Sequence, residues 1–138
     1  MRIMGLDIGE KRIGIAISDE LGWTAQGHSV LQRGKQADDL RKLAALCAEF
    51  QVERLVLGFP RNMDGSVGPK ALEIQELGGI LQEYLGLPVE YWDERLSTVA
   101  AQRTLLEADV SRQKRKKVID KLAAVNILQG YLDRKAHK

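Results

Sequence analysis

Asp7 is an acidic residue inside a mostly apolar run at residues 2–8. A buried carboxylate is costly unless it is paired, protonated or bound to a metal. If the run is a strand, Asp7 shares a face with Gly5 and Gly9, which predicts open space in front of the carboxylate, as in a crevice. The alternative is an aspartate that only stabilises a turn at the strand end.

Asp93 and Glu94 close a second strand-like stretch, at residues 88–94. Ligands of open α/β sheets bind outside the carboxyl ends of the strands. Because neighbouring strand residues point to opposite faces, only one of the two can readily join Asp7. The other would support it or pair with Arg95, and a plain polar strand end is the simpler alternative.

Asp120 is the third candidate carboxylate. On a helix, the positions three, four and seven residues further on lie on its own face, and they are Ala123, Ala124 and Ile127. An inward-facing carboxylate needs a partner. A lysine could fill that role without any chemistry, the candidates being Lys116, Lys117 and Lys121.

These three carboxylates could surround one or two magnesium ions, which prefer oxygen ligands. Such a site activates water and stabilises the leaving oxygen in phosphodiester cleavage. Residues 111–121 add six basic side chains against one acidic, a run that suits a phosphate backbone. A solvated helix face would also explain the run, but the carboxylates and the basic run together favour a nuclease.

The loop at residues 58–70 is rich in glycine and carries Arg61, Asn62 and Lys70. Its spacing does not match a P-loop. The pattern allows either phosphate contact or a plain connector.

The elements that must position these residues follow from hydrophobic periodicity. The short link at residues 9–11 predicts an antiparallel hairpin, and strands joined through helices must be parallel. The fold class is therefore α/β, a mixed five-stranded sheet flanked by helices in the order β-β-β-α-β-α-β-α-α. The predicted strands are 2–8, 12–18, 25–32, 54–59 and 88–94, and the predicted helices are 36–50, 69–85, 97–108 and 112–134.

Composition narrows the protein class. The 138 residues predict one domain, 1–138, with a core of Leu, Ile, Val and Ala, since aromatics make up 5%. A single cysteine, Cys47, fits a core thiol in a reducing compartment, and two histidines exclude a His-rich zinc site. No apolar run is long enough to span a membrane, and we expect no cleavable signal at the start of the chain. We expect a soluble cytoplasmic protein without membrane partners.

Four segments resemble the YqgF (RuvX) family of ribonuclease H-like nucleases. They are GLDIGEKRIGIAISD at 5–19, GFPRNMDGS at 58–66, DERLST at 93–98 and IDKLAAVNILQGYLD at 119–133. One such motif is weak, but four in order across the chain are specific. The resemblance implies a ribonuclease H-like fold. It also implies cleavage of precursor 16S ribosomal RNA or of Holliday junctions.

Carried over by position, the resemblance makes Asp7, Glu94 and Asp120 the catalytic carboxylates and ligands of Mg²⁺ or Mn²⁺, with Asp93 as the alternative second ligand. Phe59 and Arg61 stand where the family usually has Leu or another apolar residue, a departure that touches substrate contact. The residues expected to bind nucleic acid are Arg61, Asn62, Lys70, Arg95, Arg112, Lys114, Arg115, Lys116 and Lys117.

The leading hypothesis is a metal-dependent nuclease acting on precursor 16S rRNA, free or within a pre-ribosomal particle, as a monomer or homodimer. A nuclease that resolves branched DNA is the runner-up, and a non-catalytic RNA-binding assembly factor is a different class. The segment LDIGEKRIGIA also looks like the first phosphate loop of actin- and hexokinase-type ATPases. Those folds need a second lobe that 138 residues do not hold.

Overall fold

A computed structural model describes the backbone of residues 2–94 and 112–136, and the side chains of residues 2–94 and 121–135. The predicted helix at 97–108 lies outside these residues. The strands are β1 (Arg2–Ile8), β2 (Arg12–Ser18), β3 (Ala25–Gln32), β4 (Val52–Phe59) and β5 (Val89–Asp93). The helices are α1 (Gln36–Glu49), α2 (Pro69–Leu85) and α3 (Arg112–Ala136).

The five strands form one mixed sheet in the order β3-β2-β1-β4-β5. β1 runs antiparallel to β2 and parallel to β4, and β5 runs parallel to β4. The hairpin between β1 and β2 is closed by the Gly9 amide, which donates to the Arg12 carbonyl at 2.8 Å. The predicted mixed five-stranded sheet and its pairing directions are thereby confirmed, whereas the order of the strands within the sheet was not predicted from the sequence. The carboxyl ends of β1, β4 and β5 meet at one edge of the sheet, which we call the β1–β4–β5 edge.

Strand alternation divides the core into two layers. Met4, Leu6 and Leu57 point toward α1 and α2 and are fully buried there. The opposite face carries smaller residues and is covered by α3, whose Ala124, Leu128 and neighbours form the second cluster. Burying one leucine contributes roughly 2 kcal/mol, so the buried residues of α3 stabilise the packing of this helix on the sheet.

Gly5 of β1 allows close packing of α3. This corrects the expectation that the glycines on the face of Asp7 leave open space in front of the strand. A β-carbon on Gly5 would lie 2.7 Å from the Leu128 β-carbon and 3.2 Å from the Ala124 carbonyl oxygen. The space in front of β1 is therefore filled by the helix there, and is no open crevice. A side chain at this position would push α3 off the sheet.

Cys47 is a core thiol, as expected. It is buried between α1 and the sheet, and burial raises its pKa to about 11. Within the described residues, no helix has both the length and the apolar character required to cross a membrane.

Candidate active site

Asp7 lies at the β1–β4–β5 edge, one residue before β1 ends, and is only 9% exposed. Its strand partner on β2 is Gly14. On β4, Leu57 pairs with Leu6, so the next residue, Gly58, lies beside Asp7. Asp7 alternates with Leu6 and therefore belongs to the α3 face of the sheet, between two positions that have no side chain.

The Glu94 carboxylate lies over Gly58, on that same face. A β-carbon on Gly58 would be 2.9 Å from Glu94 Oε1 and 2.5 Å from Ile127 Cδ1 of α3. Glu94 follows β5 directly, and its side chain crosses β4 toward β1 because position 58 is a glycine. Neighbouring strands are about 5 Å apart, so Glu94 and Asp7 occupy the same small region.

Strand alternation places Asp93 on the other face. Trp92, before it, packs in the α3 cluster, whereas Tyr91 contacts Gly78 of α2. Asp93 is two residues after Tyr91 and therefore points to the same face of the strand, which is the α2 side of the sheet. Of the two acidic residues at this strand end, Glu94 is the one brought to Asp7.

Position 120 belongs to the first half of α3, one helical turn before Ala124. Ala124 touches β1 at Gly5, and Lys121 touches β3 at Gly27. Because α3 runs antiparallel to β1, moving one turn back along the helix moves toward the β1–β4–β5 edge. The Asp120 side chain is outside the described residues, so its predicted role stays a prediction.

The carboxylates fit a hard cation in type and placement. Among the described side chains, no three acidic, histidine or cysteine groups converge on one point. Asp7 and Glu94 nevertheless supply oxygen ligands on one face, where Asp7 lies beside Gly14 and the Glu94 carboxylate lies over Gly58. Magnesium is held by one or two carboxylates together with water and phosphate oxygens, and this pair meets that requirement.

The connection between β4 and α2, residues 60–68, is ordered by its own hydrogen bonds. The Asn62 amide donates to the Ser66 carbonyl at 2.9 Å, and its side-chain nitrogen donates to the Ser66 hydroxyl at 3.0 Å. The side-chain nitrogen of Asn62 is thus engaged within the loop, and the predicted contact of Asn62 with nucleic acid stays a prediction. The Arg61 guanidinium lies 5.4 Å above the Phe59 ring, where its charge stays close to the carboxyl end of β4.

Lys70 lies in the first turn of α2 and borders a cavity of about 270 Å³ next to Gly9. Arg33 lines the same cavity and donates to the Gly9 carbonyl at 2.7 Å. Both cations therefore lie on the α2 side of the β1–β4–β5 edge. The remaining predicted contacts have side chains outside the described residues: Arg95, Arg112, Lys114, Arg115, Lys116 and Lys117.

Two positions at this edge are not among the site residues that the sequence predicted. Gly58 decides where Glu94 can lie, and Met63 is 95% exposed at the tip of the connection. A methionine in a mostly polar, glycine-rich loop was the available signal for the latter. Nothing in the sequence alone shows that a glutamate side chain must cover position 58.

Comparisons with known proteins show the family and the fold of this chain. A sequence model of the RuvX family, described as Holliday junction resolvase, matches residues 1–134. A protein of Syntrophomonas wolfei is 66% identical, over 96% of this chain and 94% of its own. One of Bacillus licheniformis is 56% identical, over 96% and 97%. Both bear the name "Putative pre-16S rRNA nuclease".

Solved structures show the same fold at low sequence identity. RuvC of Thermus thermophilus, in complex with a Holliday junction substrate, is 13% identical with a TM-score of 0.57, covering 99% of this chain and 96% of that one. The fowlpox virus resolvase, also with junction DNA, is 14% identical with a TM-score of 0.57, covering 98% and 99%. The sheet is thus the one that RuvC-like resolvases use, and the match along residues 1–134 shows that this chain belongs to the RuvX family.

Proposed function

We propose that this protein is a metal-dependent nuclease that trims the 5′ end of precursor 16S ribosomal RNA. The observation that carries the proposal is the placement of the Glu94 carboxylate over Gly58, next to the buried Asp7. A cation bound by both carboxylates would offset the repulsion between their like charges. Cleavage of a phosphodiester is the chemistry for which such a cation site is suited.

Asp7 and Glu94 would hold the metal, and Asp120 would complete its ligands from α3. When bound, magnesium or manganese supplies a polarised water and a charge that stabilises the leaving oxygen. The chain itself helps to fix the two carboxylates, because Asp7 is on a central strand and the Glu94 carboxylate lies against Gly58. The basic residues of the first turns of α3 would hold the phosphate backbone.

Precursor 16S rRNA is the proposed substrate because relatives of 66% and 56% identity carry that activity in their name. Sequence identity at this level over nearly the full length of both chains supports a shared substrate. The likeness to resolvases at 13–14% identity supports the fold alone.

The test is cleavage of labelled RNA that spans the 5′ precursor junction of 16S rRNA. Wild type, Asp7→Asn and Glu94→Gln are compared in magnesium, in manganese and in EDTA. Asp38→Asn is the matched control, since Asp38 is a surface acid of α1 that pairs with Arg41. The proposal is supported if the cleavage products disappear in EDTA, in Asp7→Asn and in Glu94→Gln, while Asp38→Asn still cleaves. Cleavage that survives Asp7→Asn would contradict it.

A four-way DNA junction is the second candidate substrate, favoured by the description of the RuvX family as Holliday junction resolvase. Resolution needs two coordinated cuts, hence two active sites. Cleavage of a labelled four-way DNA junction is therefore assayed on the same gel as cleavage of the RNA. Sedimentation measures the oligomeric state of the protein. Together the two measurements decide between the two substrates. Junction products without RNA products, from a dimer, would assign the protein to recombination.

A further inference from the structure

The loop at residues 60–68 holds one strongly exposed apolar side chain at the β1–β4–β5 edge. Met63 is 95% exposed, more than any other large apolar side chain in the described part of the chain. It lies five residues beyond Gly58, the glycine that Glu94 covers. Five residues reach at most about 17 Å when extended, and the turns of this loop shorten that distance.

The tip of the loop is fixed by hydrogen bonds on both sides of Met63. The Gly65 amide donates to the Asn62 carbonyl at 2.9 Å, which closes a turn around positions 63 and 64. Asp64 accepts from the amide and hydroxyl of Ser66, at 2.9 and 2.6 Å. Gly65 has a φ of +88°, which a glycine adopts without strain. The backbone therefore presents Met63 outward from a closed ring.

The loop is also anchored to the sheet. Arg61 lies over the Phe59 ring and donates to the Gly65 carbonyl at 3.4 Å. Phe59 is buried at the end of β4 and packs edge-on against Tyr91 of β5, with ring centroids 5.4 Å apart. These contacts fix the loop at the carboxyl ends of β4 and β5 on the α2 face of the sheet, opposite the face that carries Asp7 and Glu94.

We propose that Met63 inserts between bases of the substrate strand close to the scissile phosphate and unstacks them there. Methionine is among the apolar side chains that open base steps in this way, and its polarisable thioether makes favourable contacts with aromatic rings. The guanidinium of Arg61, two positions away, provides the charge that attracts a phosphate backbone to the loop. The proposal rests on the proposed nuclease function and names a residue that determines where on a strand it acts.

The length of the loop limits which base step is opened. Nucleotides of a stacked strand are about 3.4 Å apart, so a reach of at most about 17 Å places the opened step within roughly five nucleotides of the cut. If Met63 instead bound another protein, no base step at a fixed distance from the cleaved phosphate would be opened.

The first experiment measures unstacking directly. RNA substrates carry 2-aminopurine at one of five successive positions on each side of the cut, and are bound by Asp7→Asn protein, which does not cleave. We expect fluorescence to rise at one position, and Met63→Ala in the same background to lose most of that rise while Kd changes less than about threefold. Leu21→Ala is the control, because Leu21 is 74% exposed in the turn at the opposite edge of the sheet.

The second experiment asks whether the side chain acts by unstacking. With active protein, Met63→Ala should lower kcat/KM roughly tenfold on intact RNA, and an abasic nucleotide at the responsive position should restore it to within about twofold. Loss of activity through damage to the fold would not be rescued in this way. If wild type cleaves RNA with no fluorescence rise at any position, the role of Met63 is wrong while the nuclease function stands. If wild type neither binds nor cleaves RNA, both proposals fail.

Discussion

The carboxylate of Glu94 lies directly over Gly58, so close that a β-carbon there would be 2.9 Å from Oε1. Gly58 pairs with Trp92 on β5 and lies beside Asp7 on β1. Because Gly58 on β4 has no side chain, the Glu94 side chain, which follows β5, can extend across β4 toward Asp7 on β1. The site depends on this gap as much as on the acids.

Gly58→Ala should remove activity by displacing Glu94. The added methyl would collide with Glu94 and with Ile127 of α3, and overpacking of this kind costs about 1–3 kcal/mol of stability. We expect cleavage to fall at least about a hundredfold, measured at a temperature where the variant is folded. Gly78→Ala is the control, since its methyl meets Tyr91 on the opposite face. Full activity in Gly58→Ala would show that the placement of Glu94 does not matter.

Asp7→Asn should abolish the stabilisation that magnesium gives. Without metal, removing one charge from a like-charged pair relieves repulsion, so the melting temperature should stay level or rise. With millimolar magnesium, wild type should melt higher by mass action and the variant should not. Differential scanning calorimetry with and without EDTA measures both. A large drop in melting temperature in EDTA would instead assign Asp7 a structural role.

Reversing charge in the basic run should weaken RNA binding and flatten its salt dependence. Lys114→Glu with Lys116→Glu removes two phosphate contacts, which should lower the slope of log K against log[salt] by roughly 1.4 for single strands. The same double reversal at Arg41 and Lys42, both exposed on α1, is the control. RNA binding is titrated at salt concentrations between 50 and 200 mM. If the affinity of wild type for RNA stayed constant over this range, the basic run would be excluded as a binding surface.

Stability should fall at alkaline pH through Cys47. Its folded pKa is raised to about 11 from 9.0, so between these values the unfolded chain ionises while the folded chain keeps its proton. Stability is then unaffected below about pH 9 and declines above it, by at most about 1.4 kcal/mol per pH unit. The difference between wild type and Cys47→Ala in urea melts from pH 8 to 10.5 isolates this contribution. Equal slopes in both proteins would contradict the burial of the thiol.

Adjacent glycines of α2 should respond oppositely to alanine. A β-carbon on Gly79 meets nothing within 4 Å, whereas one on Gly78 collides with the ring of Tyr91. Gly79→Ala should gain up to about 1 kcal/mol from helix propensity, and Gly78→Ala should be less stable than it by roughly 1–2 kcal/mol. Thermal unfolding of the two variants checks the difference, and the reverse order would mean that Tyr91 does not pack on Gly78.

Most of the sheet could be predicted from local patterns. The alternation of Ile13, Ile15 and Ile17 defines β2 to the residue, and Pro69 and Gly86 mark the ends of α2. These signals depend on side-chain period and on the backbone preferences of proline and glycine, which act within a few residues. The expectation of open space beside Asp7 failed at Gly5, because a missing side chain indicates close approach as readily as an empty crevice.

The sequence by itself determined which residue types are available: an acid on the first strand, two at the end of the last, and a basic run on the last helix. Which of Asp93 and Glu94 joins Asp7 was left open, since alternation fixes only that they differ. The tertiary structure decided it through the register of β4 with β5, which pairs Gly58 with Trp92 and brings Glu94 over the gap. Register between distant strands depends on packing of the whole sheet against α3, and no local pattern encodes that.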